Sequence, residues 1–581
     1  MRANQLTAAA VALLLAGCSG HPAATVAQGA DVTAADRAQV GEGGTLRWAV
    51  DAVPATLNVF QSAATPDSAL LAHALLPSLF RLDQHARPAA DPDYLTAAAS
   101  TPAGQSPQTV TYRLNPKAVW SDGTPLSAAD FTAQWHALSG TDPAYQGEQP
   151  AGYAAIAAVA QGADAHEVKV TFKQPYAPWR ALFSPLYPAA ATGTPAAFNQ
   201  PLAAAFRTSG GPFAVGAYDS PGGRVSLVRN PAWWGDAPKA QAIDFLATPA
   251  ANRLDALDQG KLDVAALADA VDHAAPGGVA AAAPPDAAAM VQASVQALRR
   301  AESLPGLALH RAPAPAFTQL TLNATRGPLA DLNVRRAVAR AVDRQKTAAA
   351  ALGPLGLTAV PLGNHLLMAD QDGYQDNSRS AGDTTAAQLL DQAGWKSNPA
   401  GAASARTKDG KDLTLGLLIP DGSATARRTA DTLTAQLAEA GITVHPQPVP
   451  AAAFVKDHLA TGDYDLALFS WPVTAYPASD ERAYYAKPEP GPDGIPVIGR
   501  NYARTGTEEI DHLFDQATAE LDPTAQRALL QQADARIWQL AHSVPLFQRP
   551  DLVAVRTTVA GAGAYGFTAP RFQDLGFRKG A

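Results

Sequence analysis

Few residues in this chain have the type and spacing that chemistry demands. The single cysteine, Cys18, follows Leu15-Ala16-Gly17 near the N-terminus. With no second thiol, an intramolecular disulfide is impossible, so the thiol needs another use. The twelve histidines are scattered, with no close His/His or Cys/His pairing that would suggest metal ligation. Asp122-Gly123, within Trp120-Ser121-Asp122-Gly123-Thr124-Pro125, has a potential acid, but the string reads as a tight turn between a strand and a helix. Thr208 to Phe213 (TSGGPF) is glycine-rich. It lacks the lysine and spacing of a phosphate cradle, and its glycines are expected to serve positive φ. No nucleophile elbow, zinc-protease helix or dinucleotide fingerprint is present. What remains is aromatic: Trp471 at the end of an apolar run, with Tyr476, Tyr484, Tyr485 and Tyr502 close behind. Ring faces and polar edges suit sugars or mixed apolar–polar ligands, so the residues favour binding over catalysis.

The elements that must position these rings follow from periodicity. Phe317 to Asn323 alternates as a half-buried strand. Arg326-Gly327-Pro328 breaks it, and Asp331 or Asn333 caps a following helix. Val334, Val338 and Val342 share one helical face, which leaves Arg335, Arg336, Arg340, Asp343 and Arg344 to the wetter side. Upstream, Thr45 to Val50 is a strand that leads to a turn at Asn58. Val110 to Leu114 is another, and Ser127 with Asp130 forms the start of a helix. Downstream, helices at Ala386–Trp395, Thr425–Ala440 and Ala451–Ala460 alternate with strands at Leu413–Ile419, Ile442–Val449 and Tyr464–Ser470. That alternation predicts a parallel α/β sheet.

At 581 residues the chain exceeds one compact core, and 47% hydrophobic with 17% charged residues fits a globular protein. A net charge of −8 without a basic cluster argues against nucleic acid. Arg2 and the apolar run Leu6 to Leu15 suit a signal peptide and are too short to span a bilayer. Leu15-Ala16-Gly17-Cys18 resembles a bacterial lipobox, which implies lipidation of Cys18 and a membrane anchor on the extracytoplasmic face. Residues 18–43 are small and polar and read as a flexible tether.

The order of several strings carries a further resemblance. They are Tyr112 to Trp135, Thr208 to Phe213, Arg229-Asn230-Pro231-Ala232-Trp233-Trp234, Leu257 to Asp263, Leu322 to Arg344, Ala386 to Trp395 and Val544-Pro545-Leu546-Phe547. Together they resemble the solute-binding proteins of ABC transporters, family 5, the peptide- and nickel-binding type. The resemblance implies an α/β, two-lobed periplasmic-binding-protein-like fold of type II, with mixed sheets flanked by helices, an extra domain and two hinge crossings. It places a signal peptide at 1–17, lobe I at 44–80 with 206–314 and 545–581, the extra domain at 81–205, and lobe II at 315–544. It implies a monomer that binds a small-molecule or peptide ligand between lobes and docks transiently on permease subunits. It implies no enzyme activity, no cofactor and no metal.

By the same resemblance the ligand lies near the Asn58 turn, the Gln319 to Asn323 crossing, the loop after Ser470 and the segment before Asn501. The site residues expected are Asn58, Gln319, Asn323, Trp471, Tyr476, Tyr485 and Asn501. Peptide binders of the family place an aspartate beside a tyrosine after the tryptophan, to hold the peptide's ammonium. Here no acid adjoins Tyr476, and Asp480 lies several residues on. Further strings, Gln174 to Arg180, Glu520 to Pro523, and Ile537-Trp538 with Ser543 to Pro550, resemble an actinobacterial lipoprotein branch linked to phosphatidylinositol mannoside and lipoarabinomannan assembly. That branch supplies a second expectation, a lipoprotein with this fold and no transport role.

Overall fold

The computed structural model describes residues 29–148, 150–200, 208–274, 287–397, 405–491 and 494–580. The strand expected at Phe317 to Asn323 is the end of a longer one, Leu307–Leu322, which pairs antiparallel with Ser543–Arg556 along nearly its whole length. Its first half was hidden in the sequence because Pro313 and Pro315 interrupt the alternation and remove two ladder donors. The pairing loses register there. Pro313 faces Pro550, the next pair is Phe317 with Gln548, and a second irregularity falls between Thr318 and Gln319.

These two strands sit in the middle of a ten-stranded mixed sheet. On one flank lie, in order, Val264–Ala266, Thr45–Val50, Ala242–Ala247, Arg224–Arg229 and Phe213–Asp219. On the other lie Leu466–Pro472, Thr414–Pro420 and Thr443–Val449. Thr45–Val50 runs parallel to its neighbours Ala242–Ala247 and Val264–Ala266, and Thr414–Pro420 runs parallel to Thr443–Val449 and Leu466–Pro472. Leu307–Leu322 runs with the first parallel set and against the second. The carboxyl ends of the two sets therefore point toward each other, one from each half of the molecule.

The first half has a core that extends into a four-stranded antiparallel sheet of Leu95–Ser100, Thr109–Leu114, Glu167–Phe172 and Ile156–Gln161. Asp122-Gly123 is the turn beside this sheet: Asp122 accepts from the backbone and hydroxyl of Thr124, and Gly123 has φ +86°. Ser127 and Asp130 cap the helix Ala128–Leu138 reciprocally, and Asp130 also takes the Trp120 indole N–H at 3.2 Å. The second half packs Val334, Val338 and Val342 against Leu320, Leu322 and Leu417. Asp331 makes the cap of that helix, accepting from Asn333 N–H at 2.8 Å.

Three expectations are corrected. Arg335 lies in the interior rather than on the wet face, at 5% exposure. Its guanidinium donates to the carbonyls of Leu329, Ala330 and Leu540, the last at the end of the helix Pro523–Leu540, where a cation suits the unpaired carbonyls. The stretch expected as tether is docked from Gly29 onward. Asp31–Val32 pairs with Gly563–Ala564, and the Asp31 carboxylate accepts from His310 at 2.8 Å and from the Arg311 backbone. The glycines of the TSGGPF turn serve close approach rather than positive φ. A Cβ on Gly211 would stand 2.4 Å from the Ala74 carbonyl oxygen, and one on Gly210 2.9 Å from the Trp120 ring. Among the described residues no helix is long and apolar enough to cross a membrane.

Candidate functional site

Where strand ends converge from two directions, side chains and free backbone groups face a common space, and ligands of open α/β sheets settle there. In this chain that space is a cavity of about 360 Å³. Asp269, Asp272 and His273 bound it from the first half, Ser423 and Phe469 from the second, and Thr318 with Arg549 of the crossing strands form its floor. Ser423 caps the helix Ala424–Glu439, which begins just past a strand end. The Asp272 carboxylate reaches across from the other half, accepting from Thr425 N–H at 2.7 Å and from the Ser423 hydroxyl. A carboxylate at the N-terminus of a 16-residue helix is favoured by the helix dipole. Arg549 pairs with Asp269 at 3.5 Å, and at another rim Arg500 meets Glu148 at 3.4 Å.

One strand contributes more than side chains. Leu466–Pro472 is paired with Ala316–Leu322 at every position, but with Thr414–Pro420 only at Leu466 and Ala467. From Leu468 onward its outer edge has no strand partner among the described residues, and Leu468, Phe469 and Ser470 line the cavity. Beside this edge Trp471 is sandwiched between Tyr484, at 4.2 Å between ring centroids and 15° between planes, and Tyr502, at 5.5 Å and 11°. Phe469 meets the indole edge-on at 5.2 Å. Burial pushes the Tyr484 and Tyr502 phenols up, which keeps them neutral. An open strand edge beside a rigid aromatic stack can take an extended chain by main-chain hydrogen bonds and lean its side chains on rings.

The other expected residues have internal tasks. The Asn58 amide donates to Phe198 O at 3.0 Å and accepts from Phe60 N–H, and the residue is buried. Gln319 is buried and donates to Thr321 Oγ1 at 2.7 Å, while its Oε1 finds no partner among the described residues. Asn323 holds a turn, donating to Gly462 O and Tyr464 O and accepting from Thr325. Tyr485 is fully buried against Phe514 and His542. Asn501 bonds to Ala486 O, Thr505 O and the His542 ring. Tyr476 lines a different cavity. Cys18 lies outside the described residues. The structure thus brings Trp471 together with Tyr484 and Tyr502, and sets the asparagines apart as scaffold.

The sequence reading missed Asp269, Asp272 and Ser423. The signal available was a capping serine just past a strand end, which marks a helix N-terminus that needs an acceptor. The nearest acid downstream of Tyr476 is Asp480, which lines the same cavity as Tyr476 and not the one at the strand edge. The turn Pro477–Asp480 folds Asp480 back so that its carboxylate accepts from Thr474 Oγ1 at 2.7 Å. Among the described residues no group of three His, Cys, Asp or Glu side chains could hold a metal ion.

Residues 97–491 match the family described as bacterial extracellular solute-binding proteins, family 5 middle. The chain belongs to that family. This family 5 protein is 34% identical to the oligopeptide-binding protein OppA of Mycobacterium tuberculosis (strain ATCC 25618 / H37Rv), over 99% of this chain and 93% of the relative. It is 28% identical to the probable monoacyl phosphatidylinositol tetramannoside-binding protein LpqW of Mycobacterium tuberculosis (strain CDC 1551 / Oshkosh), over 70% of this chain and 64% of that one. Among solved structures, a periplasmic EDTA-binding protein, EppA, superposes with a TM-score of 0.79 at 23% identity, covering 96% of this chain and 100% of its own. The oligopeptide-binding protein AppA of Bacillus subtilis, in complex with a nonapeptide, gives 0.68 at 17%, covering 93% and 100%. These likenesses agree with the two-lobed α/β architecture read from the strands.

If Asn323 holds the turn rather than a ligand, Asn323→Ala strands the Gly462 and Tyr464 carbonyls, and denaturant unfolding should show a loss of about 2–4 kcal/mol. A loss below about 0.5 kcal/mol, the range of neutral surface changes, would assign this side chain another task.

Proposed function

We propose that this protein is a lipid-anchored, extracytoplasmic solute-binding protein of an ABC importer, which captures a peptide-like solute between its two halves by hinge closure. The observation that carries the reading is the unpaired strand edge at Leu468–Pro472, set in the gap beside the Trp471 stack. Main-chain hydrogen bonds bind any extended chain regardless of side chain, and the rings supply apolar contact without demanding one sequence. The similarity to OppA across 99% of the chain supports a peptide ligand. In this reading the crossing strands are the hinge, the solute bridges the halves, and a permease receives it on opening. The protein acts as a monomer, without cofactor or covalent chemistry, held to the membrane through Cys18.

The alternative, a lipoprotein of envelope glycolipid assembly, draws on the similarity to LpqW. Its second support is that no acid adjoins Tyr476 in the chain, and Asp480 lines the cavity of Tyr476 rather than the one at the strand edge.

Calorimetric titration with an oligopeptide should show binding. N-methylating alternate peptide nitrogens should weaken it by roughly thirtyfold per two blocked N–H groups, at about 1 kcal/mol net per hydrogen bond. Response to phosphatidylinositol mannosides and none to peptides would reverse the choice of ligand. For the anchor, Cys18→Ser should move the protein from the membrane fraction to the soluble extracytoplasmic fraction. Unchanged partition would refute lipidation at this residue.

A further inference from the structure

Behind the aromatic stack lies an acid without partners. Glu481 joins two short helical turns, Pro477–Asp480 and Arg482–Tyr485. Its N–H donates to Pro477 O at 3.2 Å, and its carbonyl accepts from Tyr484 N–H at 3.0 Å, so its backbone belongs to both turns. The residue is 1% exposed, and neither carboxyl oxygen has a hydrogen-bond partner among the described residues.

The groups around it share its sign, are uncharged or are engaged elsewhere. Asp480 accepts from the hydroxyls of Thr474 and Ser479, both at 2.7 Å. Asp534, on the helix Pro523–Leu540, holds the His365 ring at 2.7 Å and the Asn377 amide at 2.8 Å. Arg482, next in the chain, pairs with Asp515 at 3.0 Å. Burial keeps the phenols of Tyr484 and Tyr485 neutral, and it lowers the His542 pKa to about 3, so that ring is uncharged too. Asp480 and Asp534 oppose a charge at Glu481, and no cation among the described residues faces it. The Thr474 backbone N–H leans toward the carboxyl without completing a hydrogen bond. Burial above all, and then the two aspartates, push the Glu481 pKa well above the usual carboxylate range. A bare carboxylate in such a place is strongly disfavoured, so the group is held as the neutral acid. Tyr484, three residues on, is the ring that meets Trp471 at 4.2 Å.

We propose that Glu481 is a proton-linked positioning residue for the aromatic stack. Protonated, it lets the turn Arg482–Tyr485 pack and holds Tyr484 on Trp471; ionised, it draws water inward, unseats that turn and frees Tyr484. Once the turn opens, Glu481 ionises near its ordinary value of about 4.3. Above that pH the packed form holds one proton more than the opened form. Its advantage is therefore full below about pH 4.3 and falls tenfold per pH unit as pH rises, until the packed acid itself ionises. For a stack that receives ligand, as proposed above, acid then favours capture and alkali favours release.

The test is hydrogen exchange of the full, unliganded chain between pH 5 and pH 7, corrected for the intrinsic exchange rate. Protection of residues 477–486 should fall about tenfold per pH unit in wild type relative to Glu481→Gln, which carries no proton to lose. Glu481→Met, an apolar side chain of similar length, should follow Glu481→Gln. The thermal midpoints of both variants at pH 7 should equal or exceed that of wild type. Parallel pH profiles in wild type and both variants, or midpoints several degrees lower in both, would overturn the proposal. Because no ligand is present, the result is separable from the peptide reading: an oligopeptide that fails to bind removes that reading and leaves the exchange result to decide this one.

Discussion

Two strands join the halves of this molecule, and their pairing is interrupted at one short stretch. Between Pro313 opposite Pro550 and Phe317 opposite Gln548 the ladder loses register, and prolines have taken away the donors that would stiffen it. On either side the same strands are locked into a sheet, Val264–Ala266 on one flank and Leu466–Pro472 on the other. In the hinge closure proposed for this protein, bending falls on these few residues between the two paired segments.

Contacts between the halves include exposed ion pairs, the hydrogen bond of the His85 ring with the Asp370 carbonyl at 2.8 Å, and the apolar packing of Leu355 with Leu254, Leu298 and Leu552. Arg500–Glu148 and Arg549–Asp269 are largely exposed ion pairs, each worth at most about 1 kcal/mol. The Asp272 cap of the helix at Ala424 is the best-formed of them, combining two hydrogen bonds with the helix dipole. A guest that bonds to the Leu468–Pro472 edge and touches the opposite half shifts the balance between an open and a closed arrangement by its own differential affinity.

Much of the architecture was legible because it rests on local rules. The alternation of Phe317 to Asn323, the valine face at 334, 338 and 342, the Ser127 cap and the order of the downstream strands and helices all follow from side-chain periodicity and backbone satisfaction. What stayed hidden was long-range. Leu307 to Ala316 carries two prolines, and its strand character rests on the partner supplied by Ser543–Arg556. Arg335 looks solvent-facing until the carbonyl of Leu540 arrives from two hundred residues away. Residues 29–43 look like linker until the C-terminal segment supplies a strand for them. The site followed the same division. Trp471 and its tyrosines could be picked out as a cluster, but an unpaired strand edge is invisible in a sequence, because it is defined by where a neighbour stops. The asparagines at 58, 323 and 501 drew attention as polar residues in loops, and the structure uses them to satisfy backbone carbonyls.

The central claim is that a guest at the strand edge draws the two halves together about the crossing pair. The most direct measurement is the distance between spin labels at Ala55→Cys in the first half and Lys456→Cys in the second, both exposed, in a Cys18→Ser background that has no other thiol. The account predicts a broad distribution that narrows to the short distance when an oligopeptide is added. An identical distribution with and without a peptide shown to bind would contradict it.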